Sequence, residues 1–284
     1  MVEFGNMKIK IPEELKSAFK GFPSHEQVFL KSVGLLVADE RVKGIYLSGS
    51  FAKGNPDNYS DIDLNVLVPK EVISNVVREH SSRYSEVSKV ATMFPGTHLG
   101  DPNMMIVFFE GESGLPIHTD YSYLAPEGLV VKGKYKEIAV LLDRDSVLAD
   151  FKAKCQVAVD DIEPKAEKLQ YFEDRFWAWC WYTFAKIARG ELWEARDAIE
   201  YMRSQVILGL AYYYERLPNE GNRRIESKFS NTTLQLMEAT LPISHAADGY
   251  KKSLLELLNV YKKLFSLVLE QAELKLNRMA DRDF

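Results

Sequence analysis

Cysteine is scarce in this sequence: the chain of 284 residues contains two, Cys155 and Cys180. Neither lies in a Cys-x-x-Cys motif or in a cysteine and histidine cluster, so the spacing of a zinc site is missing. Two isolated cysteines also do not form a disulfide framework. This usage is typical of proteins of a reducing compartment, and we expect a cytoplasmic location.

Long apolar runs are also missing. No segment approaches the run of about 18 apolar residues that a transmembrane helix needs. Residues 1–20 mix charged and apolar residues and lack the continuous apolar region of a signal peptide. We therefore expect no association with a membrane.

The sequence has no excess of positive charge. It contains 36 lysines and arginines against 41 acidic residues, which gives a formal net charge of -5. Proteins that bind polyanions without specificity usually carry a strongly basic domain or stripe. A nucleic acid is therefore not an expected partner, although a small basic pocket for a triphosphate is compatible with this balance.

The pattern of apolar residues changes near residue 145. Before it, strand and helix patterns alternate, whereas helical spacing dominates after it. The predicted strands are 44–47, 61–68, 104–109, 117–124 and 138–142, with the third and fourth paired as a hairpin. The predicted helices are 24–39 and 71–80, then 147–163, 168–189, 191–216, 230–240 and 246–278. The fold class expected is α/β (α+β) with a small mixed sheet over residues 1–145, followed by an all-α helical bundle over residues 146–284.

A glycine-serine pair follows the first of these strands. Gly49 lacks a side chain, so backbone N–H groups at this turn approach a ligand closely. If a helix begins at Ser50, its free N–H groups and positive dipole end favour an anion such as a triphosphate. The hydroxyl of Ser50 is available to the same phosphates.

Acidic residues lie at alternate positions of two predicted strands. Asp61 and Asp63 are two residues apart, so both carboxylates point to one face of their strand. Two like charges side by side are unfavourable unless a cation lies between them, and Mg²⁺ prefers such oxygen ligands. Asp120 is the candidate for a third carboxylate, because alternation places it on one face with His118. If the two strands are neighbours, the three carboxylates converge near Gly49 and Ser50.

This ordered set resembles the signature of the DNA-polymerase-β-like nucleotidyltransferases: Gly-Ser, about ten residues, Asp-x-Asp between apolar residues, and an acid on a later strand. The chain looks most similar to the aminoglycoside and lincosamide nucleotidyltransferases of antibiotic resistance, which join such a domain to a C-terminal helical domain that completes the cleft. The resemblance implies nucleotide binding at Gly49 and Ser50, and metal binding and catalysis at Asp61, Asp63 and Asp120.

The reaction implied is transfer of a nucleoside monophosphate, AMP from ATP or the equivalent from another nucleoside triphosphate, to a hydroxyl of a small acceptor. Two Mg²⁺ ions are expected, one held by Asp61 and Asp63 and a second shared with Asp120, which is also the candidate general base. The alternatives are a protein or RNA acceptor for the same chemistry, and a nucleotide-binding regulator without catalysis.

Two basic residues of the helical region are weaker candidates for nucleotide binding. Lys186 shares a helix face with Arg175 and Trp179, and Arg203 lies on the next predicted helix. Each would add positive charge that the first domain lacks; the alternative for Lys186 is a surface lysine whose stem packs on apolar side chains. The apolar stripe of the last helix also makes a homodimer a hypothesis.

Overall fold

The computed structural model describes residues 2–4, 7–111 and 114–276. The chain divides into two compact units, Met1–Val159 and Asp160–Phe284. The first unit combines a sheet with helices, and the second is helical. This confirms the predicted fold class, a small mixed sheet followed by a helical bundle.

The first unit begins with a two-stranded antiparallel sheet and two helices, which precede the main sheet. Its strands and helices, in chain order, are β1 (Val2–Phe4), β2 (Met7–Ile9), α1 (Glu13–Phe19), α2 (Pro23–Val37), β3 (Gly44–Ser48), α3 (Gly49–Ala52), β4 (Ile62–Leu67), α4 (Ile73–Ser81), α5 (Tyr84–Val87), β5 (Val90–Pro95), β6 (Met104–Phe109), β7 (Ile117–Leu124), β8 (Ala139–Asp143) and α6 (Val147–Val157). Short 3₁₀ helices lie at Lys70–Val72, Gly96–Leu99, Pro126–Gly128 and Gly133–Tyr135.

The main sheet has the strand order β5-β6-β7-β4-β3-β8. Strands β6 and β7 form the predicted antiparallel hairpin, and β4 and β7 are parallel neighbours. Strand β5 is not among the predicted strands, because its residues are exposed over most of its length and show no alternation of apolar and polar positions. The pairing of β4 with β7 matters most here, because it joins the two strands that carry the candidate acids.

The two faces of the sheet are covered differently. On one face, Leu64 and Val66 of β4 are fully buried in the main core together with Val33 and Leu36 of α2. On the other face, a smaller core lies beneath α6 and includes Leu67. Because α6 covers only part of this second face, Asp61 and Asp63 are not buried beneath it.

Helix α6 belongs to the first unit, so the boundary between the compact units lies at residues 159 and 160 instead of the predicted 145 and 146. Its Leu148, Phe151 and Cys155 are buried among residues of the sheet. Sequence periodicity identifies α6 as a helix but does not show which partner buries its apolar face. The helix is also shorter than the predicted 147–163.

A test of this boundary compares two fragments. We expect residues 1–159 to fold cooperatively, and residues 1–145 to lose at least about 3 kcal/mol of unfolding free energy, because the shorter fragment exposes Tyr46, Leu67 and Ile138. Urea unfolding followed by far-ultraviolet circular dichroism measures the difference. Equal midpoints for the two fragments would contradict the assignment of α6 to the first unit.

The second unit is built around a buried apolar core of helices. Its helices are α7 (Ala166–Ala188), α8 (Leu192–Met202), α9 (Leu208–Glu215), α10 (Ile225–Lys228), α11 (Asn231–Ala239) and α12 (Ala247–Gln271). A π-helical turn, Arg203–Ile207, joins α8 to α9 where the sequence predicts one continuous helix.

The apolar stripe of α12 packs inside the second unit. Leu257, Tyr261, Leu264 and Phe265 are completely buried in its core. Packing within one chain therefore accounts for the apolar stripe from which a homodimer was predicted. The homodimer itself stays a prediction. Among the described residues, no helix combines the length and the apolar character needed to cross a membrane.

Candidate active site

Three carboxylates converge where β4 and β7 run side by side. In the parallel register Asp63 lies opposite Asp120, so both side chains lie on one face of the sheet, and Asp61 immediately precedes β4. One carboxylate oxygen from each residue lies within 4.8 Å of the others. The structure therefore brings together the three acids that sequence analysis selected.

The acidic cluster fits a hard divalent cation. All three side chains are partly buried, and that of Asp120 is 13% exposed, so solvent screens their mutual repulsion incompletely. A cation among them removes that repulsion, and oxygen ligands of this kind suit Mg²⁺. The donor set and its spacing therefore fit a divalent metal ion.

Gly49 allows the turn after β3 to approach Asp63 closely. Its φ angle is +73°, and a Cβ at this position would lie 1.8 Å from Oδ2 of Asp63. Two features therefore disfavour any side chain at this position: the positive φ angle and the overlap with the Asp63 carboxylate. The position requires glycine for a reason that the sequence pattern did not show.

Ser50, the residue after Gly49, places a buried hydroxyl at this turn. The Oγ atom of Ser50 is buried and has no hydrogen-bond partner among the residues that the structure describes, although buried polar groups are normally satisfied. The helix α3 that contains it begins at Gly49 and has four residues, so it is a single turn. Backbone N–H groups and the Ser50 hydroxyl, with little contribution from a helix dipole, are the groups available to an anion.

Asn65 connects the strands beneath the cluster. Its Nδ2 donates to Oγ of Ser48 at 3.0 Å and to the carbonyl oxygen of Asp63 at 3.3 Å. The bond to Ser48 links β3 to β4 next to the glycine turn. Ser48 and Asn65 are not among the site residues predicted from the sequence, because their contact depends on the strand register.

His118 lies against Asp120. Its Nε2 is 2.8 Å from Oδ1 of Asp120, and its ring stacks on Phe108 with centroids 4.5 Å apart. The hydrogen bond to Asp120 raises the pKa of His118, burial opposes that shift, and the charges of Asp120, Asp61 and Asp63 raise it further. His118 is thus a hydrogen-bonded neighbour of the acidic cluster, as its position on β7 suggested.

The two basic candidates belong to the second unit, where each has acidic or polar partners. Nζ of Lys186 lies 2.6 Å from Oε2 of Glu191 and 2.5 Å from Oε2 of Glu194. These hydrogen bonds raise the pKa of Lys186. The structure thus shows Lys186 in an ion-pair cluster, and its contact with a nucleotide stays a prediction.

Arg203 is buried inside the second unit. Its guanidinium donates to Oγ1 of Thr240 at 2.9 Å, to the carbonyl oxygen of Thr240 at 2.8 Å, and to Glu200. The bonds to Thr240 tie the π-helical turn to the end of α11. The nucleotide contact of Arg203 stays a prediction. Burial lowers the pKa of Arg203, and the charge of Glu200 opposes that shift.

Comparison with known proteins supplies the family. Residues 30–95, which include Gly49, Ser50, Asp61 and Asp63, match the family model described as nucleotidyltransferase domain. The chain carries a nucleotidyltransferase domain. This confirms the resemblance to the DNA-polymerase-β-like superfamily that the motif predicted. Asp120 lies outside the matched residues and joins this nucleotidyltransferase domain through the pairing of β7 with β4.

Two solved structures are similar to the chain over most of its length. An aminoglycoside 6-adenyltransferase from Bacillus subtilis is 15% identical, with 94% of each chain covered and a TM-score of 0.41. A nucleotidyltransferase-like protein from Exiguobacterium sibiricum 255-15 is 11% identical, with 95% of this chain and 81% of that chain covered and a TM-score of 0.37. A comparison with curated protein sequences gives no match.

Proposed function

We propose that this chain transfers a nucleoside monophosphate, AMP from ATP, to a hydroxyl group of a small molecule in a Mg²⁺-dependent reaction. One observation carries the proposal: Asp61, Asp63 and Asp120 converge within 4.8 Å in a nucleotidyltransferase domain. The turn at Gly49 and Ser50, which approaches Asp63, supports the proposal that the triphosphate binds at this end of the sheet.

The acidic cluster is the proposed metal site. Asp61 and Asp63 would hold one ion, and a second would be shared with Asp120. When bound, Mg²⁺ neutralises negative charge on the triphosphate and makes the acceptor hydroxyl more acidic. The three side chains supply the oxygen ligands for this role, and their mutual repulsion favours occupancy by a cation.

The chain's own groups account for binding and proton transfer. The Ser50 hydroxyl, which has no hydrogen-bond partner in the described part of the chain, donates to a phosphate oxygen of the nucleotide. Asp120 accepts the proton of the acceptor hydroxyl as that oxygen forms a bond to the α-phosphorus. The bond from the α-phosphorus to the bridging oxygen breaks in line, and pyrophosphate leaves with that bonding pair.

The proposed acceptor is a small, neutral or cationic, hydroxylated molecule, similar to an aminoglycoside or a lincosamide. The net charge of -5 gives no long-range attraction for RNA and favours a neutral or cationic acceptor such as an aminoglycoside. Modification of such a molecule would give the protein a role in antibiotic resistance.

The test is a pyrophosphate-release assay with each nucleoside triphosphate and Mg²⁺, screened against aminoglycosides, lincosamides and simple polyols. We expect release with ATP that depends on one acceptor and stops when EDTA removes the metal, since the carboxylates then lose their cation. Mass spectrometry should find the acceptor heavier by one AMP. A native protein that binds ATP without releasing pyrophosphate from any pair would contradict the proposal and favour a protein or RNA acceptor, or a regulator.

A further inference from the structure

The side chain of His118 makes one direct contact with the acidic cluster. Its Nε2 lies 2.8 Å from Oδ1 of Asp120, a normal hydrogen-bond distance. An ionised carboxylate only accepts hydrogen bonds, so Nε2 carries the proton and donates it. This donor role is the same for the neutral ring and for the protonated ring.

The hydrogen bond fixes the orientation of one carboxylate. An aspartate side chain rotates about a broad terminal torsion unless a partner selects one setting. With Oδ1 held by His118, the plane of the Asp120 carboxylate is defined, and Oδ2 is left for a ligand. Such control matters here, because Asp120 lies on β7, whereas Asp63 lies on β4 and Asp61 immediately precedes β4.

The imidazole is itself held in place. Phe108 on β6 lies directly opposite His118 on β7, and the two rings are nearly parallel, with an interplanar angle of 7° and centroids 4.5 Å apart. Stacked cross-strand rings restrict each other's rotation. A chain of contacts thus leads from Phe108 through His118 to Asp120.

We propose that His118 is a positioning residue, whose Nε2–H holds Asp120 in the orientation that binds the divalent cation. The inference rests on the proposed metal site and assigns it a supporting residue. Groups that hydrogen-bond to metal ligands fix ligand geometry, and their loss typically weakens metal binding by about 10-fold to 100-fold. Phe108 acts one step further out by holding the ring of His118.

A matched pair of amide variants tests the donor. In His118→Gln the side-chain N–H lies near the position of Nε2, whereas in His118→Asn it lies near Nδ1 and does not reach Asp120. Electron paramagnetic resonance of free Mn²⁺ measures binding to the purified protein without substrate. We expect affinity within about threefold of the native protein for His118→Gln and at least about tenfold weaker for His118→Asn.

Control variants separate this inference from the metal assignment itself. Asp63→Asn should lose most Mn²⁺ binding, and circular dichroism should show native secondary structure in every variant. Phe108→Leu keeps the polar side chains of His118 and Asp120 and removes the stacked ring, so it should weaken Mn²⁺ binding severalfold. It replaces His118→Asn in the test if His118→Asn does not fold.

Each contrary result has one meaning. The positioning role is overturned if His118→Asn binds Mn²⁺ as tightly as the native protein does. The same holds for Phe108→Leu where it replaces His118→Asn. Either result leaves the metal site intact. Equal weakening in His118→Gln and His118→Asn also overturns it, because the loss would then follow the ring and not the N–H group. If the native protein does not bind Mn²⁺, or binds it no more tightly than Asp63→Asn does, the metal assignment is overturned. This inference is then overturned with it.

Discussion

Replacement of Asp63 by asparagine is expected to lower kcat by about 10³-fold or more while making the metal-free protein more stable. The variant keeps the shape of the side chain and removes a charge from a group of three carboxylates within 4.8 Å. Loss of a metal ligand removes stabilisation from the reacting phosphate, for which electrostatic contributions are usually the largest. Loss of the charge relieves repulsion of about 1 kcal/mol or more.

The two effects are measured separately. Pyrophosphate release gives kcat, and urea unfolding with EDTA gives the free energy of unfolding. Added Mg²⁺ should then stabilise the native protein and have little effect on Asp63→Asn, because a ligand stabilises only the state that binds it. Glu71→Gln, an exposed site on the same unit, is the control and should change stability by less than about 0.5 kcal/mol. An Asp63→Asn protein that keeps native turnover would refute the role of the cluster.

Substitution of Gly49 by alanine should reduce kcat by about 10²-fold or more. The new Cβ would lie 1.8 Å from Oδ2 and 3.0 Å from Cγ of Asp63, so either the carboxylate or the turn must move. A displacement of about 1 Å at reacting groups is enough for such a loss. The φ angle of +73° adds backbone strain, because alanine adopts that region at a cost of about 1–2 kcal/mol.

Gly54 offers a matched control for the backbone strain. Its φ angle is +72°, and among the described residues no heavy atom beyond its chain neighbours would lie within 4 Å of a Cβ there. Gly54→Ala should therefore lose about 1–2 kcal/mol of stability and keep most of its activity. Initial-rate assays and urea unfolding of both variants provide the comparison. Equal losses of kcat in the two variants would show that strain, and not displacement of Asp63, controls activity at this turn.

Local patterns were sufficient to predict much of the main sheet and its polar face. The bounds predicted for β6 and β7 match the structure, and the alternation of β4 and β7 predicts which residues share a face. What those patterns do not contain is the pairing of β4 with β7, since a parallel neighbour can lie anywhere along the chain. Asp120 was placed beside Asp61 and Asp63 through the family resemblance, which implies a third acid on a later strand.

The features that were missed depend on distant contacts. Strand β5 is an exposed edge, so it has no buried face to produce a pattern. The apolar face of α6 fits a helical bundle as well as a sheet, and only the fold shows that Phe151 packs near Tyr46. The partner of Arg203, Thr240, lies on a helix end far along the sequence. Periodicity identifies elements but not the contacts between them.

The pairing of β4 with β7 also affects how the chain folds. Strand β4 meets β3 through a short connection, whereas its contact with β7 closes a long segment that includes β5 and β6. Closing a long loop costs entropy before contacts compensate for it, so such pairings form slowly. A chain emerging from the ribosome would therefore hold Asp61 and Asp63 well before Asp120 reaches them, and the complete cation site would exist only after this late step.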